Sequence, residues 1–451
     1  MTNRFLIGAA LAACAFIGAG ASAQTLEETL SAAYASNPVL AAQRARLEQT
    51  EEGYFQARAG RLPTLGADAS VTEQHNWGGA GRFQLDPEGS ASYGVSLNQA
   101  IYRGGRIAGS IDAALARILV GREQLRATEQ TIFLAAVAGH ADVVRDLAVL
   151  SIRSNNVEVL AEQLRAARDR FEVGEITRTD VAQAEARLSG ARAQLSAAQA
   201  ALAASRAAYQ RVTGIEPVDP ADPGAAPVIP EAYAEAVEVA ISNNPDLLAA
   251  QYAERAAEDG VRVARGALRP EVSVSASAGE SRPSDFTGQA RGSANVRAQV
   301  SLPIFTGGLN RSRVREARAA ADEARLQGVA AHREVVEGVS NAWNTYLAAV
   351  AVIESSRQAV RANEIAFDGV EQEAFVGLRT TLDVLNAEQE LLNSRLELVR
   401  AERDLTVASY ALMQAMGLLH TGRLALDVAA YDPEAAFEDR RGLNFDLTPW
   451  D

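Results

Sequence analysis

The chain has 451 residues, a net charge of −14, and 48% hydrophobic residues with only 6% aromatic. This length suits two or three domains, and an apolar content so rich in alanine suits thin, closely packed helices better than a Leu/Phe-rich globule. The acidic balance disfavours a general nucleic-acid-binding role, which needs a basic field, without excluding a local basic patch. The single cysteine, Cys14, excludes a disulfide framework or a cysteine metal site.

Residues 1–23 read as a bacterial secretory signal. Arg4 precedes an apolar run from Phe5 to Ala21, and Ala21-Ser22-Ala23 is a small-x-small cleavage site that would start the mature chain at Gln24. Leu11-Ala12-Ala13-Cys14 also resembles a lipobox, which would make Cys14 an acylated N-terminus, but the apolar run continues well past it. Nothing downstream approaches the roughly 18 apolar residues of a spanning helix, so a mature membrane protein would have to be a β-barrel.

From 24 the pattern is first helical and then alternating. Leu65, Ala67, Ala69 and Val71 alternate with Gly66, Asp68, Ser70 and Thr72, and Tyr93, Val95 and Leu97 with Gly94, Ser96 and Asn98. These predict two strands, about 64–75 and 91–101, joined by a Gly-rich loop. A soluble, half-buried sheet would alternate in the same way. A helical seam then runs from about 105 to 172, through residues such as Ile111, Ile118, Leu125, Ile132, Val143 and Leu164. At about 1.5 Å per residue it spans roughly 100 Å, longer than any compact domain needs. Gly174 interrupts it, and a return helix over 179–213 makes an antiparallel hairpin with the glycine at its tip.

Five prolines between Pro217 and Pro230 mark a linker at 215–230, after which the pattern repeats over 231–420. Asn37-Pro38 returns as Asn244-Pro245 and Pro63 as Pro270, at one offset; Gly104-Gly105 returns as Gly307-Gly308, Gly174 as Gly377, Asp180-Val181 as Asp383-Val384 and Gly214 as Gly417, at a second. Ordered agreement at two offsets is a strong duplication signal. The second copy predicts strands at about 271–280 and 292–304, a long helix at 308–375, a tip at 377 and a return helix at 381–416, leaving a tail at 421–451 to which the sequence assigns no role.

Four strands with one apolar face cannot close alone, and an open apolar edge is a liability. Two, three or four chains would give 8, 12 or 16 strands, and a conducting pore favours the larger two. Secretory signal, lone strand hairpins and very long helices together suggest an outer-membrane barrel with a helical tube reaching into the periplasm.

Two tip segments make the pattern specific: Phe171-Glu-Val-Gly174-Glu-Ile-Thr-Arg-Thr-Asp180-Val181, and Phe375-Val-Gly377-Leu-Arg-Thr-Thr-Leu-Asp383-Val-Leu385-Asn386. With the duplication, they make residues 24–420 resemble the TolC-family outer-membrane factors, whose tails in the type I secretion branch 421–451 also loosely resembles. The resemblance implies a mainly α fold with a membrane β-barrel, in which a homotrimer forms a twelve-stranded barrel and a twelve-helix periplasmic tunnel. Its partners would be outer-membrane lipid, a periplasmic adaptor (membrane fusion) protein and an inner-membrane pump of ABC or RND type. The function implied is the passive exit duct of a tripartite export system, for type I protein secretion, drug efflux or both.

By the same resemblance, Val173-Gly174-Glu175 and Val376-Gly377-Leu378 would dock the adaptor. Thr179 and Asp180 would lie against Arg379 as a polar latch closing the entrance, and Asp383 would project into the lumen as a carboxylate ring. Ala374 stands where an aromatic latch residue can occur, and Asn386, placed with Asp383 in the ring, where a second carboxylate can. Thr177-x-x-Asp180 and Thr380-x-x-Asp383 fit helix capping equally well. On the sheet, Asp68, Ser70, Asn98, Ser275, Asn295 and Arg297 would face the lumen, and Val71, Val95, Val274 and Val300 the lipid.

No reaction chemistry is legible: there is no Walker loop, G-x-S-x-G, H-E-x-x-H or metal-ligand cluster, and neither an enzyme nor a cofactor is expected. His75, His140, His332 and His420 read as ordinary surface or packing residues. The competing readings are a periplasmic coiled-coil scaffold without channel activity, which leaves the amphipathic strands without purpose, and a secreted enzyme with dispersed catalytic groups.

Overall fold

The structure, a computed structural model, describes residues 24–75, 87–224, 227–283, 289–424 and 426–440. The signal segment with Cys14 and the end of the tail with Trp450 lie outside the described residues. The first copy runs α1 (Leu26–Ser36), α2 (Pro38–Ala59), β1 (Thr64–His75), β2 (Pro87–Arg103), α3 (Arg106–Glu172) and α4 (Arg178–Thr213). The second runs α5 (Tyr233–Asn243), α6 (Pro245–Gly266), β3 (Glu271–Pro283), β4 (Arg291–Ser301), α7 (Leu309–Phe375) and α8 (Thr381–Ala415), followed by α9 (Thr421–Leu424) and α10 (Pro433–Asp439). Corresponding helices match in length: 11 residues for α1 and α5, 22 for α2 and α6, 67 for α3 and α7, 36 and 35 for α4 and α8. Among the described residues no helix is long and apolar enough to cross a membrane.

Where these elements depart from the expected bounds, proline and asparagine explain it. The segment before β1 is two helices, because Pro38 has no N–H and Asn37 is extended, its side chain accepting from the Val39 N–H at 2.9 Å to cap α2. β4 stops at Ser301 instead of running to 304, just before Pro303, which cannot donate to a ladder. β2 runs on to Arg103 instead of 101 because a bulge between Ala100 and Tyr102 keeps it paired with β3, and it begins earlier, at Pro87, paired with His75 of β1.

The same Asn-Pro step joins helices end to end. The Asn37 Nδ2 donates to the Val212 carbonyl at the end of α4 (2.9 Å), and the Asn244 Nδ2 to the Ala415 carbonyl at the end of α8 (3.1 Å). A positive helix start thus sits on a negative helix end, and one orphan carbonyl is satisfied at each joint. Gly214 and Gly417 turn the chain out of each joint at φ 72° and 75°. A Cβ on Gly417 would stand 2.4 Å from the Asn243 carbonyl oxygen, so no other residue fits there. Each chain therefore presents four long rods side by side: α4 stacked on α2, then α3, then α8 stacked on α6, then α7.

The four strands form one antiparallel sheet in the order β1-β2-β3-β4, the two copies meeting at β2–β3. Its register sorts most side chains by polarity over the middle of the sheet, with Gln99 an exception on the apolar face. Ala67, Val95, Ala278 and Ala294 are one row, with Leu65, Leu97, Ala276 and Val296 beside it; Asp68, Gly94, Gly279 and Ser293 lie on the opposite face with Ser70, Asn98, Ser275 and Arg297. The apolar face is bare, Leu65 being 76% and Val296 78% exposed. Both outer strands, β1 and β4, have an unpaired edge.

The main core lies at the level of the joints, where Leu30, Leu40, Phe133, Val137, Leu412 and Met416 are all nearly or fully buried. The tail closes over it. The Thr421 N–H donates to buried Glu129 (2.7 Å), the Tyr431 N–H to the Tyr34 hydroxyl (2.9 Å), and Arg440 pairs with fully buried Glu51 (2.7 Å). Phe437 stacks with Phe55 and meets Tyr54 edge-on. Residues 421–440 are thus a strap from the end of the second copy back onto α1, α2 and α3.

Candidate functional site: the hairpin tips

Each long helix ends in the same five-residue turn, 173–177 and 376–380. Gly174 and Gly377 take φ of 81° and 80° with open space around them, so they serve the turn and not a close contact. The side chains around them are bare: Val173 is 72%, Phe375 83% and Leu378 75% exposed, and Glu175 and Val376 are exposed too. Each tip is thus an apolar knob on a polar hairpin, which a single chain leaves uncovered.

The return helices open with matching capping boxes. The Thr177 hydroxyl and N–H both donate to the Asp180 carboxylate (2.7 and 2.9 Å), and the Thr380 hydroxyl and N–H to Asp383 (2.7 and 3.0 Å). The threonine hydroxyl, followed by the threonine N–H, holds each carboxyl below its ordinary value. Both acids are ionised over the physiological range. Capping thus employs Asp180, expected in the latch, and Asp383, expected in the luminal ring.

Within one protomer, Thr179 and Asp180 do not pair with Arg379. Arg379 donates instead to Glu373 across its own turn (2.7 Å), which raises the guanidinium further above its ordinary value, and Thr179 is exposed. Glu373 lies six residues away across the same turn, whereas Asp180 belongs to the other hairpin. Asn386 accepts from Arg187 of α4 at 3.2 Å, tying the second hairpin to the first.

Two further ties between the hairpins were not legible in the sequence. Leu385 of α8 packs into the first hairpin's cluster of Leu160, Leu164, Ala184 and Leu188. The Gln163 amide donates to buried Glu388 at 2.8 Å, and burial pushes the Glu388 carboxyl up. The Leu385 and Glu388 spacing matches one face of α8, a signal easily taken for an ordinary seam.

The histidines fall elsewhere. His140 is fully buried between the Thr29 hydroxyl (2.9 Å) and the Ala221 carbonyl (2.8 Å), His420 is half-buried, His332 is exposed, and His75 ends β1. Among the described residues no group of His, Cys, Asp or Glu is placed to hold a metal ion.

Known proteins share this arrangement. The family described as outer membrane efflux protein matches residues 29–214 and 236–418, one match for each copy. The chain belongs to the outer membrane efflux protein family. It is 35% identical over 422 residues to outer membrane efflux protein BepC of Brucella suis biovar 1, covering 93% of this chain and 91% of BepC. It is 26% identical over 435 residues to outer membrane protein TolC of Escherichia coli K12, covering 91% and 86%. The crystal structure of outer membrane protein VceC from Vibrio cholerae superposes with a TM-score of 0.73 at 23% identity, over 87% of this chain and 96% of VceC. An efflux protein of this family resides in the outer membrane, and the fold is the TolC-like one that the sequence resembles. The scaffold reading finds no support among these relatives.

Proposed function

We propose that the protein is the passive exit duct of a tripartite export system. Three copies would pair β4 of one with β1 of the next, closing twelve strands into a barrel with the apolar face toward lipid and the polar face toward a water-filled lumen, above a tunnel of twelve rods. The observation that carries this is the sheet: one face bare and apolar, the other polar, and both edges open directly over four parallel rods. In lipid, a sheet is satisfied only when closed.

On this reading the knobs Val173-Gly174-Glu175 and Val376-Gly377-Leu378 dock a periplasmic adaptor, and an inner-membrane ABC or RND-type pump supplies energy and selects substrate. The efflux name of the Brucella relative supports efflux, and type I protein secretion stands beside it as the second reading. Asp383, its carboxylate ionised, would form the luminal ring with Asn386. Asp180 and Thr179 would meet Arg379 only in the assembled, closed entrance, where Arg379 exchanges Glu373 for a partner on the first tip. An exposed pair contributes about 0–1 kcal/mol, so three would hold the gate by at most a few, within reach of adaptor binding.

Planar-bilayer recording of the purified protein tests this. The wild type should insert and conduct at a low closed-state level, and Asp180→Ala or Arg379→Ala should raise single-channel conductance. A wild type that neither inserts nor conducts defeats the duct; unchanged conductance in both variants, with assembly intact, defeats the latch. Val274→Arg should block insertion by placing a charge on the lipid face.

A further inference from the structure

The protein is acidic overall, yet one level of it is strongly basic. Four segments converge where the sheet meets the rods: 56–63 at the end of α2, 101–110 from β2 into α3, 261–271 from α6 into β3, and 302–318 leading into α7. Together they hold eleven arginines and two glutamates, against a net charge of −14 for the whole chain. The chain contains no lysine, so every basic group here is a guanidinium, the group best shaped to hold a phosphate through two N–H donors.

Few of these charges are neutralised locally. Glu271 takes Arg103 and Arg106 (2.7 and 2.6 Å), and Arg262 pairs with Asp112 and Asp259. The remaining eight form no ion pair among the described residues. Arg311, Arg315 and Arg318 are all exposed and recur at spacings of four and three, so they share one stripe of α7. That stripe has a definite side. Ala317 and Ala320 line a hollow on one side of the wall with Arg117 and Gly260, while the groove beneath the strap, lined by Arg255, Arg262 and Phe437, marks the other. Helical spacing puts Arg311, Arg315 and Arg318 on the strap side, the outside of a wall whose inner side must stay open.

Just above this stripe the surface is apolar. Ile304 is 92% and Phe305 88% exposed, and Ile101, Tyr102 and Leu302 are exposed beside them. A bare apolar and aromatic band directly against a band of unpaired arginines is the pattern of a protein surface crossing a lipid headgroup layer.

We infer that the arginine collar formed by Arg311, Arg315 and Arg318 binds the phosphates of anionic phospholipid in the periplasmic leaflet. It thereby sets the depth at which the barrel stands. The leaflet follows from the collar's place on the helix side of the sheet, across the bilayer from the lipopolysaccharide phosphates. This rests on the barrel reading above, since it needs the apolar face to meet lipid.

The test is native mass spectrometry of the assembled protein released from nanodiscs of phosphatidylethanolamine and phosphatidylglycerol, counting retained lipids. The wild type should retain phosphatidylglycerol selectively, and excess inorganic phosphate should not strip it, because the acyl chains also hold to the apolar band. The triple variant R311Q/R315Q/R318Q should bind it about a hundredfold more weakly at low salt. R333Q/R357Q, exposed arginines further along α7, should bind as the wild type does. Equal retention in the triple variant overturns the collar, as does loss of assembly with lipid selectivity intact, which would place the three arginines in a subunit contact. A wild type that never enters the nanodisc defeats the barrel reading itself.

Discussion

Helices α3 and α7 are the same element twice, 67 residues each from a double-glycine start to a glycine tip, yet they sit in opposite surroundings. α3 is flanked on both sides, by α2 and α4 on one and by α6 and α8 on the other, and buries side chains along most of its length. α7 has neighbours on one side only, and little more than Asn310, Val314, Val335, Val339, Ile353 and Ser356 is buried. The strands repeat the contrast, with β2 paired on both edges and β4 exposed throughout. Duplication thus supplied two equal units, and the chain uses one as the interior of a wall and the other as its edge. On the proposed reading, this edge, apolar in stretches along α7 and with an unpaired ladder on β4, is where the next copy would pair.

That contrast can be broken by paired substitutions at equivalent positions. Phe133→Ala in α3, where the ring is fully buried, should cost about 3–5 kcal/mol, whereas Val336→Ala at the matching half-buried position of α7 should cost about 1. Thermal melts of the two variants in detergent check the difference. The joints sharpen it with the sign reversed, the second copy being the tighter. Gly417→Ala drives a Cβ into backbone and should cost about 3 kcal/mol or more, while Gly214→Ala meets chiefly the Ser36 side chain and should cost about 1–2.

Leu326, exposed on α7 away from α6, probes the edge directly. Leu326→Asp should leave the helicity of the protomer unchanged while lowering assembly, each copy losing about 1.5–3 kcal/mol of apolar burial; sedimentation in detergent separates the two effects.

The smallest effect is the pH dependence that His140 brings to the first copy. Burial holds the His140 imidazole below its ordinary value of 6.5, against weaker opposing effects of the Ala221 carbonyl and Asp222. The unfolded state therefore takes up a proton first, so the contribution of neutral His140 is complete above that value and is lost as pH falls below it. Trp343 occupies the matching place in the second copy and cannot titrate. Buried Glu51 and Glu129, both pushed up by burial, act in the opposite sense, so the profile to measure is the stability difference between the wild type and His140→Gln. It should change on acidification from neutral pH; a flat difference defeats the assignment.

The duplicated plan was legible because glycine and proline carry specific backbone demands that recur at fixed offsets. The two faces of the sheet were legible because a period of two has no other reading once the strands pair. The unequal burial of α3 and α7 was not, since both carry the same mixture of alanine, arginine and small apolar residues, and only three-dimensional order says which has two neighbours. Nor were Glu51, Glu129 and Glu388, whose sequence surroundings look like a solvated helix face and whose partners lie 389, 292 and 225 residues away. At the tips, the Thr-x-x-Asp spacing predicted the local capping correctly but could not tell that Arg379 would find Glu373 first.

The strap has a bearing on how the molecule is made. Its residues follow both copies in the chain, so they are synthesised after the helices whose packing they finish. Until Arg440 arrives, Glu51 lacks the guanidinium that neutralises it, and Tyr54 and Phe55 lack the ring that covers them. A chain stalled before α10 therefore carries a charged and apolar scar on its first copy. Completion of the chain past both copies is thereby written into the surface of the first copy.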